Sequence, residues 1–211
     1  MKKVSSIKHW HTFYNKNQLT NSPTKFAIFC KKFLKKYKGK LYDLGCGNGR
    51  DVNFFNKEKL SCEGYDVSAA AIKKNRKRLI KYKTNFHKKN FCNLFEKKNI
   101  KFKFSIYSRF TLHSISYKDE NKLIKTLSLQ KNLDYILIET RTIKDELYGR
   151  GKKVGKHEFV STHYRRFIDA QIFKKKLKKY FKIIYFKQSK GFAKFNKENP
   201  SVLRVIAKNI A

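Results

Sequence analysis

Between Leu41 and Asp51 the chain can do little but form a strand, a tight turn and a helix in succession: Leu41-Tyr42-Asp43-Leu44-Gly45-Cys46-Gly47-Asn48-Gly49-Arg50-Asp51. The apolar start suits a short buried strand. Three glycines at alternate positions let the backbone turn sharply and approach a ligand with no Cβ in the way. The helix after them offers unpaired N–H groups and the positive end of its dipole. A second acid follows in Glu63-Gly64-Tyr65-Asp66-Val67-Ser68. An Asp that ends the next strand can accept hydrogen bonds from both hydroxyls of a ribose, the logic of nucleoside recognition in doubly wound sheets. The alternative is a glycine turn that holds nothing.

The glycine spacing discriminates between ligands. A dinucleotide fingerprint has G-x-G-x-x-G ahead of a helix that meets a pyrophosphate. Here the order is Gly45-x-Gly47-x-Gly49, with Asp43 two residues earlier. That Asp would repel a pyrophosphate and suits a molecule carrying an ammonium and a sulfonium. The pattern D-x-G-x-G-x-G resembles the cofactor loop of class I S-adenosyl-L-methionine (SAM)-dependent methyltransferases, and Asp66 resembles their ribose-binding acid. The resemblance implies a single Rossmann-like α/β domain with a mostly parallel seven-stranded sheet, helices on both faces and a terminal antiparallel strand. It places SAM against Asp43, Gly45, Cys46, Gly47, Asn48, Gly49, Asp66, Val67, Asn90, Phe91 and Tyr107. Val67 and Phe91 would flank the adenine, or simply be core. Asn90 departs from the family, which carries an acid there, but its amide oxygen can accept the same hydrogen bond.

At 211 residues, 40% hydrophobic and 15% aromatic, the chain suits one domain with a sizeable core. Cys30, Cys46, Cys62 and Cys92 form no C-x-x-C pair and no zinc spacing, so reduced thiols and a cytoplasmic location are expected. The basic N-terminus has no apolar run behind it, so no signal peptide is read, and no stretch reaches bilayer length. No Asp/Glu/His cluster has metal-ligand spacing; Asp145-Glu146 reads as a lid pair. The net charge of +37 rests on 52 Lys and Arg against 15 Asp and Glu. Such an excess attracts anions: nucleic acid, a phosphorylated substrate or an acidic membrane surface. It can equally be a solvated lysine coat, since the lysines are dispersed.

The chain is read as an N-terminal segment and helix (1–38), which the resemblance implies is a cover, and the main domain (39–211). Ser22-Pro23-Thr24 reads as a helix start, with a helix to about Lys36. Strands are expected at 40–44, 61–66, 85–88, 102–107 and 135–138, and helices at 50–57, 68–81 and 119–129. The unbroken run Tyr135-Ile136-Leu137-Ile138 belongs to a strand buried on both faces. Residues 140–162 read as a polar lid, 167–180 as an amphipathic helix, and 182–188 and 202–207 as closing strands. Alternating βα units closed by a strand pair fit an α/β fold.

The acceptor side of such a fold lies at the end of the fourth strand, Tyr107-Ser108-Arg109-Phe110-Thr111-Leu112-His113. His113 could be a general base, its ordinary pKa lying near neutrality, or a histidine bonded to backbone at a helix start. Arg109 would hold an anionic acceptor, or a carboxylate across the sheet edge. Arg141 leaves the fifth strand at its ligand-binding end. In His163-Tyr164-Arg165-Arg166-Phe167 the paired arginines could clamp an anion, or pair with Asp169 or Glu158 at a helix start.

These phrases, with Lys144-Asp145-Glu146-Leu147-Tyr148-Gly149 and Asn199-Pro200-Ser201-Val202-Leu203-Arg204-Val205-Ile206-Ala207, resemble small bacterial class I methyltransferases of capsule and surface-polysaccharide gene clusters. Some of those are assigned to O-methylating a phosphoramidate group or a sugar. The resemblance implies that Trp10, Tyr14 and Phe26 belong to a cover over the SAM site; read alone, they are an aromatic cluster. It gives Tyr14, Arg109, Arg141, His163, Tyr164, Arg165 and Arg166 to a small anionic or glycan-linked acceptor, with His113 and Arg109 catalytic. The competing class is an RNA methyltransferase, favoured by the charge. Against it, the chain has Tyr107-Ser108-Arg109-Phe110 where amino-methylating nucleic-acid enzymes resemble one another in an Asn/Asp-Pro-Pro-Tyr turn. Neither proline precedes a cysteine, as cytosine C5 enzymes require.

Overall fold

The computed structural model describes residues 2–17, 20–96, 100–195 and 198–210. One seven-stranded sheet organises the chain. Its strands are β1 (Lys40–Leu44), β2 (Cys62–Asp66), β3 (Phe86–Lys88), β4 (Phe104–Arg109), β5 (Leu133–Arg141), β9 (Phe181–Ser189) and β10 (Val202–Asn209), in the order β3-β2-β1-β4-β5-β10-β9. The pairs from β3 to β5 are parallel, and β10 runs antiparallel to both β5 and β9. The order reverses between β1 and β4, the switch point where open α/β sheets bind ligands. The mostly parallel sheet and its antiparallel final strand are as the sequence led one to expect.

Side-chain alternation along the strands fills two cores, one on each face. Tyr42, Leu44, Phe104, Ile106, Ile136 and Val205 point one way, onto α5 (Tyr117–Ser128) and α6 (Ala170–Lys178). Leu41, Tyr107, Leu137 and Ile206 point the other, onto α2 (Lys25–Lys31), α3 (Arg50–Lys57) and α4 (Ala69–Arg78). Each fully buried aromatic, Phe26, Phe55, Phe104 and Phe173 among them, contributes about 1.5–3 kcal/mol relative to exposure. Helix α1 (Lys2–Lys16) lies beside α4, where Lys74 Nζ donates to the carbonyls of Tyr14 (2.6 Å) and Asn15 (2.9 Å), a cationic cap on its last turn. Among the described residues no helix is long and apolar enough to cross a membrane, and the four cysteines are free, buried thiols.

Three expectations need correction. The start of α2 is capped by Thr24, not Ser22: Thr24 Oγ1 accepts from Ala27 N at 3.0 Å, and α2 spans only seven residues. Thr24 is chosen because its own N–H and hydroxyl are pinned by Asp51, at 2.8 and 2.9 Å. Residues 140–162 are not simply a loop. They contain β6 (Lys152–Gly155) and β7 (Glu158–Val160), which form a separate antiparallel sheet with β8 (Tyr164–Arg166). These strands are too short and too charged to show alternation. The helix expected at 167–180 begins at Ala170, because Asp169 caps it by accepting from Gln171 N (2.9 Å) and Ile172 N (3.1 Å). Arg165 and Arg166 therefore sit on a strand, where neighbours face opposite ways.

Candidate active site

The carboxyl ends of β1, β2 and β4, together with α1 and the β7–β8 turn, enclose a cavity of about 530 Å³. Its floor is the turn after β1. Gly45 N and Cys46 N both donate to Tyr65 O, at 2.7 and 3.1 Å, which binds the turn to the end of β2. Two glycines are required here. Gly45 has φ +82° and a Cβ on it would fall 2.2 Å from Thr111 Cγ2; Gly47 has φ +51° and its Cβ would fall 2.3 Å from the Tyr14 hydroxyl. A side chain at either place would meet both a strained backbone and an occupied space.

Asp66 closes the turn: Gly47 N donates to Oδ2 at 2.9 Å and Ser68 N to Oδ1 at 2.8 Å. Each carboxylate oxygen keeps a further lone pair for a ligand hydroxyl. Burial raises the Asp66 pKa, and the amide bonds oppose that rise. Asp43 is buried deeper. Burial first, then repulsion from Asp51 and Asp66, lifts its carboxyl well above the ordinary range, against the pull of Arg109 and Arg50. In a chain with only 15 acids, three of them, Asp43, Asp51 and Asp66, line one cavity. A cationic ligand beside them would favour their ionised forms.

Aromatic rings from α1 roof the cavity. His9, Trp10, Phe13 and Tyr14 line it, and His163, from the β7–β8 turn, stacks on His9 with centroids 4.2 Å apart and meets Trp10 edge-on at 5.3 Å. Burial, with Arg165 next, pushes the His163 pKa down to about 3, so the contact joins two neutral rings at ordinary pH. The Tyr14 phenol is buried, and that burial raises its pKa and keeps it protonated.

Cations gather toward β4 and beyond. Arg109 Nε donates to Glu139 Oε1 at 3.0 Å, and the guanidinium lies 4.3 Å over the Phe110 ring. Phe110 itself holds φ +55°, a left-handed backbone unfavourable to a side chain of that size and of a kind that clusters at functional sites. Arg165 is half-buried and donates to Ser161 Oγ at 2.9 Å. His113 is 5% exposed and lines the cavity, and its Nδ1 has no hydrogen-bond partner among the described residues. Burial, followed by repulsion from Arg141, His163, Arg165 and Arg109, drives its pKa well below 6.5, so the imidazole is neutral. An unpartnered buried ring nitrogen costs free energy until a ligand satisfies it.

Most of the residues expected from the sequence meet here: Tyr14, Asp43, Gly45, Cys46, Gly47, Asn48, Asp66, Val67, Phe91, Tyr107, Arg109, His113, His163 and Arg165 all line the cavity. Others do not line it. Arg166 is buried against Glu120 and donates to Ile115 O at 3.1 Å, so it cannot form a clamp with Arg165. Tyr164 points its hydroxyl to the same carbonyl, at 3.4 Å. Arg141 is held by Asp145 (3.1 Å) and Glu198 (2.7 Å). Gly49 packs behind the turn, where its Cβ would meet Phe86 and Asn75. Asn90 caps the short turn after β3, accepting from Cys92 N at 3.0 Å. Tyr107 lines the wall, but its hydroxyl donates to Asp51 Oδ2 at 2.7 Å and so is a support for that acid. His9, Phe13, Arg50, Asp51, Phe110, Thr111, Ser114 and Thr162 also line the cavity and were not expected there from the sequence. Arg50 and Asp51 carried a signal in occupying the first turn of the helix after the glycines, where side chains face a bound ligand.

Residues 41–128 match a family model described as a methyltransferase domain. A search of curated protein sequences finds no match. Solved structures of similar shape include a SAM-dependent methyltransferase from Anabaena variabilis (15% identity, TM-score 0.64, covering 96% of this chain and 94% of that one). They also include the glycopeptide N-methyltransferase MtfA complexed with S-adenosyl-L-homocysteine (13%, TM-score 0.63, 89% and 90%). A third is TehB from Haemophilus influenzae (14%, TM-score 0.63, 97% and 67%). At such identities the likeness is one of fold. Strand order, glycine turn and matched domain together define a class I SAM-dependent methyltransferase. The protein is an enzyme of that class, with SAM as its cofactor, and the three buried acids beside the glycine turn fit a donor that carries two positive centres.

Proposed function

We propose that the enzyme O-methylates a small anionic, phosphorylated or sugar-linked acceptor in capsule or surface-polysaccharide biosynthesis, in the cytoplasm. The observation that carries this reading is the lining of the cavity, which brings the acids Asp43 and Asp66 at the ends of β1 and β2 together with Arg109, Arg165 and a neutral, unpartnered His113 from β4 and the segments beyond it. When bound, SAM supplies an electrophilic methyl group for in-line displacement. Asp66 would accept from the ribose hydroxyls, Asp43 would face the cationic end, and Val67 and Phe91 would flank the adenine. Arg109 holds the acceptor's negative charge through charge-assisted hydrogen bonds, and Arg165 adds to the positive field around it. His113 would orient the acceptor hydroxyl and take the proton that the hydroxyl loses on methylation. Its depressed pKa makes it a weak base, so positioning carries most of its effect. Helix α1 and the β6–β8 sheet act as covers that exclude water.

The resemblance to capsule-cluster enzymes supports the acceptor class, and the fixed Arg109 supports an anionic one. Methyl transfer from labelled SAM, run in parallel on nucleotide-activated or phosphoramidate-bearing glycan precursors and on total RNA, tests the reading. Label confined to the small-molecule fraction is expected; label in RNA overturns it.

A further inference from the structure

A second cavity, of about 610 Å³, opens on the other side of Arg109. Arg50, Arg109 and Phe110 line both cavities, so these three residues form the wall between them. Beyond that wall the second cavity is bounded by Phe192, by Lys25 and Lys194, and by the residues that lead into α2. None of the glycine turn reaches it.

Its charge is built from below. Glu139, 1% exposed, accepts from Arg109 Nε through one oxygen and from Arg204 Nε through the other, at 3.0 and 2.7 Å. One buried carboxylate thus serves two guanidinium groups and leaves a unit of positive charge uncompensated. Arg50 adds another cation, opposed by the neighbouring Asp51, whose oxygens are already engaged by Thr24 and Tyr107. Glu198 is the remaining acid of the rim; Arg141 donates to it at 2.7 Å but also serves Asp145, so Glu198 is only partly offset and its side chain sits 62% exposed at the mouth, away from the wall's guanidinium groups. Phe192 is fixed in place: the Arg204 guanidinium lies 4.4 Å from its ring, and Arg204 Nη2 donates to its carbonyl at 2.9 Å. An anion at the wall and an apolar or planar group on Phe192 are what this cavity satisfies.

We infer that the second cavity is the acceptor's own binding channel. A phosphate or carboxylate of the acceptor sits on Arg109 and Arg50, its planar or apolar portion lies on Phe192, and its nucleophilic oxygen reaches past Phe110 into the first cavity. Donor and acceptor then occupy separate openings and bind together. This rests on the first cavity being the donor site.

The probe is phenyl phosphate, titrated calorimetrically into the enzyme saturated with S-adenosyl-L-homocysteine. A ternary complex is expected, with phenol binding at least about tenfold more weakly than phenyl phosphate. Phe192→Ala and the exposed charge reversal Lys194→Glu should each weaken phenyl phosphate by about three- to tenfold and leave S-adenosyl-L-homocysteine affinity unchanged. Mutual exclusion of the two ligands, or indifference to both substitutions, overturns the channel. Failure of the wild type to bind S-adenosyl-L-homocysteine would instead sink the donor-site reading beneath it.

Discussion

The donor and acceptor halves proposed for the active cavity are built in different ways. The donor half, Asp43 to Ser68, is made of main chain: glycines at alternate positions, amides donated to Tyr65 O and to Asp66, and acids at fixed offsets from them. The acceptor half is made of side chains from separated segments, Arg50, Arg109, His113, His163 and Arg165, steadied by carboxylates such as Glu139. A backbone cradle tolerates little change in its glycines but is fixed by local geometry. A side-chain cluster can change its specificity freely, yet depends on a buried ionic scaffold to hold it.

The largest effect should come from that scaffold. Glu139→Ala strands two guanidinium groups and should lower unfolding free energy by about 3–5 kcal/mol, read from urea denaturation. A loss below about 1 kcal/mol would mean that the pair behaves as a surface ion pair. Next, His113→Ala should reduce turnover by about a hundredfold, the low end for a positioned base, while S-adenosyl-L-homocysteine still binds normally. Full activity would remove His113 from the acceptor half.

In the donor half, Asp66→Ala should weaken SAM by about 1–3 kcal/mol by calorimetry, with acceptor KM little changed. An unaltered affinity would break the division of labour between the halves. The smallest effect is on pH. The Asp43 pKa is raised in the folded state, so its contribution to stability is complete below the ordinary carboxylate range and is lost as pH rises through the folded value. A cationic donor favours the ionised form. Donor affinity should therefore increase with pH until Asp43 is deprotonated, then level off; thermal melts with and without SAM would show the two curves diverging. Parallel curves would place the donor's charge away from Asp43.

The sequence was legible where local rules act alone. Helix α3 falls at Arg50–Lys57 as expected, and Ser68 caps α4 through Ala71 N at 3.2 Å. It was less legible where a short element depends on distant partners. The β6–β8 sheet has three- and four-residue strands whose order comes from pairing, Phe159 with Arg165 and Val160 with Tyr164. Arg166 looked like half of a clamp and is instead a buried partner of Glu120, because strand alternation turns it from Arg165.

By itself the sequence determined the strand–turn–helix, the acids at Asp43 and Asp66, and with them a doubly wound sheet that binds SAM. Glycine conformations and residue spacing are properties of contiguous chain, so they can be read directly. Only the tertiary structure decided which cations face the cavity, that His113 is neutral, and that Arg109 stands in a wall between two openings. Those outcomes depend on burial and on charges brought together from opposite ends of the chain, as when Glu139 joins Arg109 to Arg204.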